Sequence, residues 1–361
     1  MFDLAEATDD DLVRLEVGEP DFDTPTHVVE AATAAAREGH THYTANAGLP
    51  ELRGAVAATL ADQYGVDHEP SEIVVTTGGM EALHLAVLCT VAAGDEVVIP
   101  TPAWPNYFIQ ARLADADPVE VPLPYPFDLD ADRVIEALGP ATGAVVLCTP
   151  SNPTGRVFDP GPVRAVVEAA ADHDAYVIAD EVYAALTYDR EPTGTAALTG
   201  HPDHVLTVGS CSKSHAMTGW RVGWLAGDCA VVDEATKVRE ATTSCTSSVS
   251  QHAALAALTG PQEPVEQMRA AFRDRREYVI DRIDALEGVS APRPQGAFYA
   301  FLAPETDEAS VPLAERLLRE AGVVLAPGAG FGGAGEGCLR LSFANSLDRL
   351  EEGFDRLEGA F

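Results

Sequence analysis

The sequence predicts an α/β fold with a large domain on a mainly parallel, seven-stranded sheet between helices and a small α+β domain formed from both chain ends. Three observations predict it. Seven short apolar runs alternate with helix-length amphipathic segments between residues 70 and 226. The runs are rich in Val and Ile and apolar on both faces, as strands covered by helices on both sides must be. After about residue 228 the pattern turns mostly helical, and two more strand-like runs follow near the C-terminus. The length, 361 residues, suits one large α/β unit or two coupled domains. The expected boundaries are 26–258 for the large domain, and 1–25 with 259–361 for the small one.

The strand candidates, in order, are EIVVTT (72–77), EVVIP (96–100), DPVEVPL (117–123), GAVVLCT (143–149), AYVIAD (175–180), HVLTVG (204–209) and VGWLAG (222–227). Segments such as MEALHLAVLCTVAA and GPVRAVVEAAADHD lie between them and have helical patterning. GAFYAFL and GCLRLSFA are the late strands, and the extreme N-terminus reads as irregular. No internal repeat or low-complexity linker interrupts the chain.

Acidic residues outnumber basic ones 57 to 23, for a net charge of -34, and they are spread along the chain. Such a surface repels phosphates of nucleic acid and anionic lipid, so neither is expected as a partner. Lys213 and Lys237 are the only lysines; the other 21 basic residues are arginines. Scarce lysine with abundant carboxylates favours a halophilic protein over an acidic mesophilic one, because at 1 M salt the Debye length is only ~3 Å and like charges are screened. The six cysteines show no CxxC or metal-site spacing, and most read as small buried residues. With no signal peptide and no long uncharged apolar run, the chain reads as soluble and cytoplasmic.

In sheets of this kind ligands bind beyond the carboxyl ends of the strands. Five of those ends deliver GGMEAL, TPAWPNY, PSNPTG, EVYAAL and SCSK to one rim. Lys213 is an amine able to attack an aldehyde once it loses its proton, although a lone loop lysine can also be plain surface. Ser210, Ser212 and Arg221 offer the hydroxyls and guanidinium that a phosphate dianion needs. Gly79 and Met80 open a helix whose free N–H groups suit an anion, where a simple tight turn is the other reading. Asp180 ends an apolar strand, either as a helix cap or as the partner of a protonated ring nitrogen. Tyr183 and Asn152 suit a phenolic oxygen, and Trp104 a ring face; a turn and core packing are the alternatives for Asn152 and Trp104.

An aldehyde, a phosphate, a phenolic oxygen and a pyridine nitrogen coexist in pyridoxal phosphate. At this point the chain resembles the class I/II aminotransferases of fold type I, in the aspartate-aminotransferase-like branch. VGEPDFDTP, YTANAGLPELR, TTGGMEAL, TPSNPTGRV, ADEVYAALTYD, SCSKSHAMTGWRVGWLAG, PQGAFYAF and APGAGFG…CLRLSFANS occur in that family's order and at about its spacing over nearly the whole chain.

The resemblance implies that Lys213 is the Schiff-base lysine and proton carrier, that Asp180 pairs with the ring nitrogen, and that Asn152 and Tyr183 hold the phenolic oxygen. It further implies Trp104 on the ring, and Gly79, Met80, Ser210, Ser212 and Arg221 on the phosphate. Tyr43 would reach the phosphate of the neighbouring subunit in a homodimer. Arg340 would clamp the substrate α-carboxylate, helped by Gly18 and Asn152. The activity implied is ping-pong transfer of an amino group from an L-amino acid to a 2-oxo acid, with no metal. Alternatives on the same fold are a carbon–sulfur β-lyase or a cyclopropane-forming synthase, and more remotely a non-catalytic regulator. Gly18 lies nearer the start than is usual in the family, and Gly79 and Met80 replace more polar cradle residues. Arg14, Arg37, Arg53, Arg112 and Arg156 are the candidates for a side-chain carboxylate of the substrate.

Overall fold

The computed structural model describes residues 11–361, so the irregular start expected for the first ten residues lies outside them. The main sheet consists of β2 (Ile73–Thr76), β3 (Glu96–Thr101), β4 (Asp117–Pro122), β5 (Thr142–Cys148), β6 (Tyr176–Asp180), β7 (Val205–Ser210) and β8 (Gly223–Ala226); β1 (Val13–Arg14) lies elsewhere. Each of the seven sequence runs forms its strand within one residue at either end. Their order is β2-β8-β7-β6-β5-β3-β4. All pairings are parallel except those of β8, which runs antiparallel to β2 and β7. The link from β7 to β8 passes through two short helical turns, Cys211–Ser214 and Thr218–Trp220, and doubles the chain back.

The two-residue period of a strand divides each apolar run between two cores. Val145, Leu147, Val177, Ala179 and Val205 pack with helices on one face. Ala144, Val146, Ile178, Leu206 and Val208 pack on the other. This two-sided burial is why the runs read as continuous rather than alternating.

A third core joins the two ends of the chain. Val13 and Leu15 pack there with Phe272, Phe298, Leu341 and Phe354. Its strands are β9 (Val289–Ser290), β10 (Tyr299–Pro304), β11 (Val323–Val324), β12 (Ala326–Pro327) and β13 (Leu339–Ser342). Four of them form an antiparallel sheet in the order β12-β13-β10-β9, while β1 pairs with β11 in parallel. The late runs GAFYAFL and GCLRLSFA become β10 and β13. Tyr183, Leu186 and Tyr188, which follow the carboxyl end of β6, also pack into this third core. The rim of the large sheet is thereby pressed against β10 and β13.

Candidate active site

Register brings the strand ends together. Cys148 of β5 sits beside Asp180 of β6, which sits beside Val208 of β7. Beyond these ends lies a cavity of about 310 Å³. It is lined by Gly18, Gly79, Met80, Trp104, Asn152, Asp180, Tyr183, Ser210, Ser212, Lys213, Arg221 and Arg340, so of the residues expected to bind the cofactor or the substrate α-carboxylate all but Tyr43 meet there. Tyr43 stands away from the cavity on the surface, 89% exposed. Tyr107, Val182, Thr218 and Tyr299 complete the lining and were not anticipated. Two of them had a legible signal: Tyr107 is the polar ring of WPNY, and Tyr299 that of GAFYAF.

One end of the cavity is built for an anion. The cradle helix, Gly79–Thr90, starts after Gly78, whose φ of 77° suits glycine. A Cβ on Gly78 would sit 2.5 Å from Arg221 Nη2, and one on Gly79 would sit 3.1 Å from Val182 Cγ1. Glycine therefore lets the backbone N–H groups and the guanidinium converge on the same space. Arg221 itself holds a left-handed φ of 55°, a strained conformation that aims its side chain, and Nη1 donates to Thr218 O at 2.9 Å. Ser210 caps the turn Cys211–Ser214 by accepting from Ser212 N at 3.1 Å, and its hydroxyl lies 2.9 Å from that of Ser212. The Met80 sulfur accepts from Gln110 Nε2 at 3.6 Å.

The floor of the cavity holds a buried carboxylate. Asp180 is 4% exposed; Oδ2 accepts from the Tyr107 hydroxyl at 2.6 Å and Oδ1 from Val182 N at 3.3 Å. Burial pushes its pKa up, against the two donors and the charge of Lys213. A carboxylate so placed calls for a cation, and a protonated ring nitrogen supplies one. No helix follows Asp180 to be capped; the next element is the short turn Ala184–Leu186. The Tyr183 hydroxyl lies 2.8 Å from that of Tyr299, and burial raises both phenols, keeping them protonated donors.

The opposite wall presents a buried guanidinium. Arg340 Nη1 donates to Asn152 Oδ1 at 2.8 Å and Nη2 to Glu16 O at 2.6 Å. Its Nε is buried without a partner. The guanidinium lies over the rings of Tyr299 (4.5 Å) and Phe331 (5.0 Å). A buried arginine with an unspent donor suits a carboxylate ligand. Lys213 Nζ donates to Gly18 O at 2.7 Å, and burial lowers its pKa to about 8, with Arg221 and Arg340 pushing the same way. A Cβ on Gly18 would collide with the Tyr299 hydroxyl, so glycine is required for this approach.

The donor set thus fits pyridoxal phosphate: an anion cradle, a buried carboxylate, phenol donors, and an amine with a lowered pKa between them. The five arginines considered for a second carboxylate all lie outside the cavity lining. Arg14 pairs with Glu16, Arg156 with Asp128, and Arg53 donates to Pro70 O at 2.7 Å. Arg37 and Arg112 are exposed on helices. Lys237, unexplained by the sequence, forms an exposed pair with Glu234 at 2.6 Å. All six cysteines are free, but only Cys148, Cys211 and Cys338 are buried; Cys229 opens a helix on the surface. Among the described residues no helix is long and apolar enough to cross a membrane, and no cluster suits a metal ion.

Comparison with known proteins agrees with this geometry. Residues 10–357 match the family "Aminotransferase class I and II". The aspartate aminotransferase of Geobacillus stearothermophilus is 39% identical over 359 residues, covering 96% of this chain and 90% of that one. The aspartate aminotransferase of Thermus thermophilus, solved with maleate, superposes with a TM-score of 0.93 at 38% identity, covering 97% and 92%. The aromatic aminotransferase of Pyrococcus horikoshii gives 0.94 at 36%, covering 99% and 98%. The chain belongs to the class I and II aminotransferases, enzymes that depend on pyridoxal phosphate.

Proposed function

We propose that this aminotransferase takes its amino group from a dicarboxylic L-amino acid of the aspartate type and passes it to a 2-oxo acid. The observation that carries the site assignment is the buried Arg340 with its unpartnered Nε facing the same cavity as Lys213. The relatives named aspartate aminotransferase support the donor class.

In this reading Lys213 is the amine that bonds the cofactor aldehyde. Asp180 holds the ring nitrogen, Asn152 and Tyr183 the phenolic oxygen, and Trp104 the ring face. Gly79, Met80, Ser210, Ser212 and Arg221 hold the phosphate, joined by Tyr43 from the partner of a homodimer. Pyridoxal phosphate supplies an electron sink that acidifies the substrate Cα–H bond. Lys213 Nζ takes and returns that proton, a task suited to an amine whose pKa lies near 8. Arg340 fixes the α-carboxylate, with Asn152 and Gly18 beside it. Tyr299 keeps the Tyr183 hydroxyl oriented. The division at 26–258 against 1–25 and 259–361 puts Lys213 on one body and Arg340 on the other, and a cytoplasmic, salt-rich setting suits the charge.

The cations lining the cavity, Lys213, Arg221 and Arg340, all have assignments. The first ten residues contain no Lys, Arg or His. A cation for the side-chain carboxylate therefore comes from the partner subunit. The test is a panel of amino donors against 2-oxoglutarate in high salt. Aspartate should give the largest kcat/KM; a preference for alanine or an aromatic donor overturns the donor class. Release of pyruvate and ammonia from a cysteine-type donor without a 2-oxo acceptor would turn the reading toward a lyase.

A further inference from the structure

Among the described residues, the largest fully buried side chain is an arginine the site does not use. Arg239, on the helix Cys229–Thr242, is 0% exposed. Its three nitrogens point at three different parts of the chain. Nε donates to Glu81 Oε1 at 3.2 Å, Nη2 donates to Thr246 Oγ1 at 2.9 Å, and Nη1 donates to Asn46 O.

Each of these partners leads to a phosphate-binding element. Glu81 is the third residue of the cradle helix, and its Oε2 accepts from Thr77 N, just before Gly78 and Gly79. Asn46 belongs to the loop that carries the exposed Tyr43. Thr246 leads to the same loop by a second route: Gln251, also 0% exposed, donates from Nε2 to Thr246 O at 2.8 Å and to Thr44 Oγ1 at 2.9 Å. Placing a guanidinium where no water reaches it is costly unless every donor is used. Here the fork is spent on joining two elements that are distant in sequence, and a planar guanidinium holds such partners in fixed relative directions.

We propose that Arg239 is a positioning residue that couples the two halves of the phosphate site, the cradle of its own subunit and the Tyr43 loop offered to the partner. Cofactor grip in one subunit and in its neighbour then depend on the same buried side chain. This inference rests on the reading of Tyr43 as a ligand in the partner's site.

The experiment is a double-mutant cycle on the full chain in high salt, with the apoprotein titrated with pyridoxal phosphate by absorbance. The variants are Tyr43→Phe, the pair Arg239→Met with Glu81→Gln, which leaves no unpaired buried charge, and their combination. Tyr43→Phe and the Arg239/Glu81 pair should each weaken binding by about tenfold, and the combination should fall well short of the product, because the second change acts through the first. A combination equal to the product overturns the coupling, since a merely structural arginine would weaken binding independently of Tyr43. Wild-type affinity in the Arg239/Glu81 pair, with Tyr43→Phe weakened, overturns the coupling alone. Wild-type affinity in Tyr43→Phe overturns both the coupling and the assignment of Tyr43. If the Arg239/Glu81 pair yields no folded protein, Thr246→Val removes the Nη2 partner, along with a long hydrogen bond of 3.5 Å to Val75 O, and takes its place in the same cycle, where effects equal to the product overturn the proposal.

Discussion

Tyr107 donates its hydroxyl proton to Asp180 Oδ2 at 2.6 Å, in a site where both side chains are almost wholly buried. The tyrosine comes from the helix Asn106–Leu113 and the aspartate from the end of β6, so the bond ties a covering helix to the sheet. A hydrogen bond to a charged group in such surroundings contributes about 1.5–3 kcal/mol. It favours the ionised form of Asp180 against burial. Tyr107→Phe should therefore lower kcat/KM by roughly tenfold to a hundredfold, in proportion to that energy. It should also weaken cofactor retention on dialysis. Unchanged kinetics and retention would show that Val182 N and the ring nitrogen suffice.

Lys213→Ala removes the only amine among the cavity-lining residues. Transamination should fall by at least the ~10²–10⁴-fold expected for loss of an acid–base group. In the wild-type apoprotein the pKa of Lys213 lies near 8 rather than at 10.5. Its neutral fraction, and with it the rate of pyridoxal phosphate capture, should rise with pH and level off above about 8. A capture rate still climbing steeply toward pH 10 would mean the amine is not depressed.

Glu181 points away from the active site into a small, mostly apolar cavity with Tyr64, His215 and Trp224. One oxygen accepts from Thr195 N at 2.6 Å, while Oε2 is buried without a partner. Burial pushes its pKa from 4.5 to about 7, despite the Thr195 donors. A carboxyl with a raised folded pKa binds its proton more tightly in the native state. Its stabilising effect is complete below pH 4.5 and is lost as pH rises toward 7, a change of ~3 kcal/mol. Glu181→Gln, which stays neutral, should melt progressively above wild type as pH rises from 5 to 8. A melting-temperature gap independent of pH would remove Glu181 as the cause.

The net charge of -34 should make stability depend on salt in a definite direction. Exposed ion pairs such as Lys237–Glu234 contribute little and weaken with salt. Repulsion among 57 acidic residues opposed by 23 basic ones acts over the whole surface and is screened as the Debye length falls from ~10 Å to ~3 Å. The melting temperature should rise between about 0.1 M and about 1 M KCl. A fall would mean that the local pairs dominate.

The sequence by itself determined the strands of the large sheet, because a strand buried on both faces must be apolar throughout and a run such as AYVIAD has no other comfortable setting. It also determined the chemistry of the rim, because Lys213, Asp180, Asn152 and Arg221 stand at strand ends, and in a mainly parallel sheet those ends gather on one side. Only the tertiary structure decided which groups face one another across long separations in sequence. Arg340 meets Asn152 and Glu16, and Lys213 meets Gly18, because the third core folds both chain ends against the rim. Tyr107 and Tyr299 are polar rings within WPNY and GAFYAF, but only packing turns their hydroxyls toward Asp180 and Tyr183. Arg239 gave no local sign at all: on an amphipathic helix it reads as a solvated residue, and its burial depends on Glu81, Asn46 and Thr246 arriving from three other parts of the chain. Local pattern fixes which face a side chain leaves from; what it meets there is set by contacts that no local pattern encodes.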